Sequence, residues 1–311
     1  MRIISFIPQY LGDKRKLTTK SRKTYTFVLK LFASRLKDKA IGELTHEDLS
    51  GFVAWMEKDN YAKATINLAV SAASGFFEWL AFKRLWDGNL ADIQYISKQG
   101  KEGMISSAPV YDREVVAGLV GWASRYAEYK SLIDKRDAFM ILAASSSGAR
   151  LGKELCGLTR GQVDWDRGRA IVIGKGDKEG KLLFSDIAID AGRRYLQARA
   201  GMDGKSGQPL TSLPLFSQHV GNKPKPLGYH GAYKAMKRRI VSLFGEESRS
   251  SFHPHMLRHE FVTRILIESG NLKLAQELAR HTNIQTTQRY AHLAEEDQDR
   301  AHKEIFNRPP K

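Results

Sequence analysis

Apolar residues recur at helical spacing through most of this chain, and a single stretch departs from that rhythm. Tyr25, Val28, Leu29, Phe32 and Leu36 mark one stripe, and Leu49, Phe52, Val53 and Met56 a second. Ile66, Val70, Phe76, Phe77 and Leu80 mark a third, on a helix expected over 64–84. Thr45 with Asp48 reads as the start of the second, a cap followed by an acid in the first turn. Further helices are expected near Arg113–Ala127 and through Phe139–Leu142. Between 163 and 188 the pattern changes. Val163–Asp166, Arg169–Ile173 and Leu182–Ile187 are short β-favouring runs, the last two separated by Gly174–Gly180, as in an antiparallel hairpin. Helical spacing resumes from Tyr229, with pieces at Arg238–Leu243, Leu257–Ile267, Leu272–Leu278 and Glu295–Phe306. The pattern predicts a mainly α fold with a small antiparallel β-sheet.

Residues 97–109 are polar, rich in Gly and Ser, and end in Pro109, the composition of a linker. Two domains are expected, 1–100 and 108–311, each long enough to bury its own core. The charge balance points to their partner. Lys and Arg number 50 against 34 Asp and Glu, a formal net charge of +16, which favours polyanions. No apolar run approaches the ~18 residues of a membrane span. The N-terminal apolar stretch is broken by Pro8 and runs into a basic cluster, unlike a signal peptide. The single cysteine, Cys156, excludes an internal disulfide or a multi-cysteine metal site. Double-stranded DNA, with no membrane, is the expected partner, and the cytoplasm, on the nucleoid, the expected location. Residues 14–39 hold ten Lys/Arg against one acid, Asp38. Lys14, Arg15, Lys16, Lys20, Arg22 and Lys23 are the candidate DNA contacts; the alternative is a solvated basic face.

Four short segments carry chemistry. In His253-Pro254-His255-Met256-Leu257-Arg258-His259, proline can open a helix, and His255 and Arg258, three apart, then share a face. A histidine beside an arginine at a helix start suits phosphate. His255 and His259 also have the i, i+4 spacing of helical zinc ligands, but the usual Glu is missing and Arg258 stands between them. The second segment runs from Arg280-His281 to Arg289-Tyr290. The third is Ser147-Gly148-Ala149-Arg150, with Glu154 one turn on, either orienting Arg150 or standing as an ordinary surface acid. The fourth is the hairpin tip, Gly174-Lys175-Gly176-Asp177-Lys178.

Taken together, the order Arg150, Lys175, His255, Arg258, His281, Tyr290 resembles the active-site series of the tyrosine recombinases, which include Xer-type recombinases and phage integrases. GKGDK is similar to the family's hairpin lysine, PHMLRHEFVT to its His-x-x-Arg helix and TTQRYAH to its nucleophile segment. The resemblance covers about residues 110–305 and extends more weakly over the N-terminal helices. Two positions depart from the common text: Ser-Gly-Ala-Arg replaces Thr-Gly-Leu-Arg, and Ala-Arg-His replaces Leu-Gly-His.

The resemblance implies a helical core-binding domain and a tyrosine-recombinase-type catalytic domain. It implies that Tyr290 attacks a DNA phosphodiester, keeping the 3′-phosphate and freeing a 5′-hydroxyl. Arg150 and Arg258 would hold the non-bridging oxygens. Lys175 would protonate the leaving oxygen, His255 would take the tyrosine proton or help hold the phosphate, and His281 would hydrogen-bond an oxygen. No cofactor or metal is needed. Four protomers on two DNA sites, or a pairing with a related recombinase, would exchange strands through a Holliday junction. The last helix, near Glu295–Phe306, would dock on a neighbour. His259 reads as structural, and Tyr25, Tyr229 and Tyr233 lie away from the motif series. The alternatives are a type IB topoisomerase-like enzyme, which relaxes DNA by similar chemistry, a catalytically inactive DNA-binding relative, and a metal-dependent nuclease.

Overall fold

A computed structural model describes residues 1–14, 17–99, 111–173, 179–221 and 224–290 (of 20, 90 and 97–99 the backbone alone). The chain splits into two compact units, Met1–Ile105 and Ser106–Lys311. The expected helix at 295–306, and most of the expected linker, lie outside the described residues.

The first unit is helical: α1 (Ile3–Asp13), α2 (Thr19–Arg35), α3 (His46–Lys58), α4 (Lys63–Phe82) and α5 (Leu90–Gln99). The three stripes read from the sequence supply its core, with Val28, Leu29, Phe32, Leu49, Phe52, Met56, Phe76, Phe77 and Leu80 buried. α3 opens as its sequence suggests: the Thr45 N–H donates to Asp48 Oδ2 at 2.8 Å. α1 was not legible, because Pro8 reads as a break. The helix nonetheless runs through it. Proline removes the bond to the Ile4 carbonyl, but Ile4 is on the exposed side, where water can serve. Ile3, Phe6, Ile7, Tyr10 and Leu11 line the buried face.

One candidate DNA contact is already engaged within the fold. The Arg22 guanidinium is turned inward, with Nη1 donating to the Leu11 carbonyl, Nη2 to that of Lys14 at 3.2 Å and Nε to that of Leu17 at 3.3 Å. Carbonyls at a helix C-terminus lack intrahelical donors, and Arg22 satisfies them and closes the α1–α2 turn. Lys14 sits 5.2 Å over the Tyr10 ring, while Lys23 is exposed. Arg15, Lys16 and the Lys20 side chain lie outside the described residues.

The second unit is built around α7 (Leu132–Ser147), which follows α6 (Arg113–Ser124). Residues Arg136 to Ala144 of α7 are all buried, so this helix is enclosed on every side. Its one buried acid, Asp137, is met by Arg136 at 2.6 Å, Arg238 at 3.0 Å and Arg239 at 3.2 Å. The sheet is antiparallel, in the order β1 (Val163–Asp164), β2 (Arg169–Ile173), β3 (Glu179–Leu183), with Ile171 opposite Lys181 and Val172 opposite Gly180. The third expected run is displaced. The strand ends at Leu183, and Asp186–Ile187 open α8 (Asp186–Ala198) because Ser185 caps it, its Oγ accepting the Ala188 N–H at 3.3 Å. β1 is shorter than expected because Asp164 Oδ1 accepts the Arg167 N–H at 3.0 Å and starts the turn early. The rest is α9 (Ala200–Gly204), α10 (Tyr229–Phe244), α11 (His255–Ser269), α12 (Leu272–Ala279) and α13 (Gln285–Gln288). The architecture is the expected one, mainly α with a three-stranded antiparallel sheet. Among the described residues, no helix is long and apolar enough to cross a membrane.

Candidate active site

The site begins where α7 stops. Gly148 takes a left-handed conformation, φ +59°, and turns the chain. A Cβ there would lie 2.3 Å from Phe261 Cδ1, so glycine is required on both backbone and steric grounds. Gly148→Ala is expected to cost about 1–2 kcal/mol for the backbone and about 1–3 kcal/mol for displacing Phe261. An unchanged urea midpoint would contradict this. After Gly148, Arg150 is extended and Leu151–Leu155 form a single π-helical turn. That turn folds Glu154 back beneath Arg150. Glu154 Oε2 accepts the Arg150 N–H at 2.9 Å, and Oε1 pairs with Arg150 Nη1. The carboxylate is buried while the Arg150 side chain is 41% exposed, so the guanidinium is held from below and open above.

α11 supplies the second arginine. Arg258 is 5% exposed; Nη1 donates to the Gly148 carbonyl at 2.6 Å and Nη2 to the Ala279 carbonyl. One side chain thus ties α11 to the ends of α7 and α12, and a guanidinium with five N–H donors still has others to offer. His255, one turn earlier, is exposed. α12 ends at Arg280, which is left-handed at φ 57° and donates through Nη2 to Glu154 Oε2 at 3.1 Å. His281 follows, its Nδ1 2.8 Å from Thr287 Oγ1 on α13.

Tyr290 comes next and is 3% exposed, its ring packed with Val262, Leu266, Ala275 and Ala279 of α11 and α12. Its hydroxyl contacts His259 Nδ1. His259 is therefore the residue that sequence reasoning set aside. Tyr111 stacks on its ring at a centroid distance of 6.2 Å and donates its own hydroxyl to Glu260 at 2.7 Å. No local spacing signals a contact between positions 31 apart.

The electrostatics follow from burying positive groups together. Burial pushes Arg258 down to about 10, and the Arg150 and Arg280 charges act in the same direction. Burial raises the Glu154 carboxyl, but the Arg150 backbone N–H and the Arg280 and Arg150 charges outweigh it and hold it below its ordinary value. Burial raises the Tyr290 hydroxyl, opposed by the Arg289 and Arg258 charges. His259 and His281 are each driven down to about 4, first by burial and then by cationic neighbours. His255, though exposed, is lowered by partial desolvation of its ring and by Arg258.

These histidines are depressed in the folded state, so the unfolded chain binds more protons between 6.5 and about 4. Their stabilising contribution is complete above pH 6.5 and is lost as pH falls towards 4. The melting temperature is expected to drop by several degrees from pH 7 to pH 5, on a scale of about 2–4 °C per kcal/mol. A flat profile over that range would count against neutral histidines here.

A groove beside the site was not foreseen. α10 lines it with Tyr229, Tyr233, Lys234, Lys237 and Arg238. Tyr229 and Tyr233 stack at 6.0 Å, and Lys237 Nζ lies 4.9 Å from the Tyr233 ring centre. Tyr229 also abuts Gly152, where a Cβ would be 3.4 Å from Tyr229 Cδ2, so the basic groove borders the turn that carries Arg150.

The structure thus gathers Arg150, Arg258, His281 and Tyr290 in one unit, with His255 at the start of the same helix as Arg258. Lys175 lies outside the described residues. Among the described residues, no group of three or more His, Cys, Asp or Glu is placed to hold a metal ion.

One buried and one half-exposed arginine thus stand in the same unit as a buried tyrosine, next to a basic groove, and comparison with known proteins gives the family. Residues 114–297 match the phage integrase family and residues 9–87 its N-terminal SAM-like domain. The chain belongs to the phage integrase family, the tyrosine-type site-specific recombinases. Tyrosine recombinase XerC of Xylella fastidiosa is 30% identical over 259 residues, covering 82% of this chain and 80% of the relative. XerC of Treponema denticola is 29% identical over 303 residues, 92% of each. Two solved structures share the fold. The Tn1549 transposon integrase in complex with circular intermediate DNA has a TM-score of 0.69 at 18% identity, covering 97% of this chain and 99% of that one. XerH bound to palindromic difH substrate has 0.69 at 18% identity, covering 98% and 85%.

Proposed function

We propose that this chain cuts and rejoins duplex DNA at specific sites, with Tyr290 forming a 3′-phosphotyrosyl bond and a 5′-hydroxyl leaving. The observation that carries the reading is the pair of arginines anchored around Gly148. Arg150 is aimed by Glu154 and Arg258 by two backbone carbonyls, so neither has to be organised when substrate arrives. Their remaining donors suit the non-bridging oxygens, where charge grows in the transition state. A phenol of pKa ~10 is a modest nucleophile and a competent leaving group, so the phosphotyrosyl ester conserves bond energy and religation needs no nucleotide.

The remaining roles follow from position. His259 is the acceptor in contact with the Tyr290 hydroxyl, so it takes the proton-accepting part that the resemblance implied for His255. His255 is left to the phosphate, with His281 as a further donor. As the family resemblance implies, Lys175 protonates the departing 5′-oxygen. Tyr290 passes its proton to His259 as its oxygen attacks the phosphorus when DNA engages. The basic face of α10 follows the DNA backbone away from the cut, and the 1–100 domain grips the duplex through Lys14, Lys23 and their neighbours. Four protomers on two sites pass through a Holliday junction. Relatives support the DNA-binding part of this reading: lambda integrase has been solved as a dimer bound to a core site. With a net charge of +16, the protein works on the nucleoid in the cytoplasm.

The test uses nicked duplexes of randomised sequence. Protein–DNA adducts that survive denaturant are recovered and sequenced, and the captured sequence is placed twice on a plasmid. Resolution into two circles is the expected outcome. Relaxation of a plasmid carrying one copy, without resolution of the two-copy plasmid, would instead assign a topoisomerase.

A further inference from the structure

The family resemblance leads one to expect glycine at position 280, and this chain has arginine there in a left-handed conformation, φ 57°. Glycine adopts that conformation freely and other residues do not. Something must hold Arg280 in place, and its contacts identify what. Nη1 donates to the carbonyls of Leu278 at 2.7 Å, Ser147 at 3.2 Å and Lys181 at 3.2 Å. Nη2 donates to the Gly148 carbonyl at 3.3 Å and to Glu154 Oε2 at 3.1 Å. The end of α7, strand β3 and the end of α12 therefore meet on one guanidinium. β3 makes room for it: a Cβ at Gly180 would lie 2.8 Å from Arg280 Cδ.

The consequential contact is Glu154. Its Oε1 pairs with Arg150 Nη1, and its Oε2 receives both the Arg150 N–H and Arg280. Arg150 and Glu154 alone form a neutral pair. That pair offers little to an anion, and a carboxylate held by one arginine can turn. A second cation on Oε2 changes both things. We infer that Arg280 is a positioning residue for Arg150: it clamps the carboxylate that aims Arg150 and offsets the charge that would otherwise cancel it at the scissile phosphate. The inference rests on the reading that Arg150 binds that phosphate.

A double-mutant cycle tests it, on the nicked duplex recovered by covalent capture. Arg280→Gly removes the guanidinium and suits the backbone; Arg280→Asn, which also tolerates this conformation, is the second variant should the first unfold. Cleavage is expected to slow by roughly 10- to 100-fold, less than the ~10²–10³ for a direct donor, with DNA affinity nearly unchanged. In a Glu154→Gln background there is no carboxylate charge to offset, so adding Arg280→Gly should slow cleavage little further. A single Arg280 variant cutting at the wild-type rate, or a full further loss in the Glu154→Gln background, overturns the inference. Arg150→Ala separates the two readings: if it cuts at the wild-type rate, the assignment of Arg150 to the phosphate is what fails.

Discussion

Replacing Tyr290 by phenylalanine is expected to abolish the covalent protein–DNA adduct and leave the protein folded. The substitution removes only the hydroxyl. The ring still fills the space among Val262, Leu266, Ala275 and Ala279, so no cavity opens. The stability change is the lost contact with His259, about 0.5–1.5 kcal/mol for an ordinary hydrogen bond. Activity has no such reserve, because the attacking oxygen is gone. Denaturing electrophoresis after incubation with the captured nicked duplex reads the result. An adduct that persists in Tyr290→Phe would move the nucleophile elsewhere and remove the basis of the mechanism.

Arg258→Ala should give the second largest effect, and it should act twice. In catalysis it removes a donor from the phosphate, a loss of about 10²–10³ in rate. In the fold it leaves the Ala279 carbonyl without that donor, at about 1–3 kcal/mol for a buried group left unsatisfied, and leaves the Gly148 carbonyl only its 3.3 Å bond from Arg280. Arg258→Lys separates the two. It keeps a charge but loses the planar fork, so it should recover part of the stability and little of the rate. Cleavage kinetics and urea midpoints measured on both variants decide the matter. A lysine variant that cuts as fast as wild type would mean that charge alone is used, and the geometric argument for Arg258 would be wrong.

The site was legible as a set of residues and much less as an arrangement. His255 and Arg258 could be placed on one face because three positions along a helix fix that relation. Glu154 could be paired with Arg150 because the two are one turn apart, although the turn proved to be π-helical. The inward turn of Arg22 was not legible, because position on a basic stretch does not reveal which way a long side chain turns. His259 was set aside for the same reason, since its partner lies 31 residues away.

What the residues alone determined is everything governed by neighbours within a turn or a hairpin: the helical stripes, the Thr45–Asp48 start of α3, the β2–β3 pairing and the cluster of basic side chains. Backbone stereochemistry and alternating exposure act at that range, and they leave a written periodicity. Tertiary packing decided the rest: that Tyr290 is enclosed, that its hydroxyl meets His259, that Arg258 is spent partly on carbonyls of α7 and α12, and that Arg280 reaches Glu154 across 126 positions. A guanidinium or imidazole accepts many partners of similar energy. Which one it takes depends on the groups that the folded core brings within about 3 Å of it, and no local pattern records that.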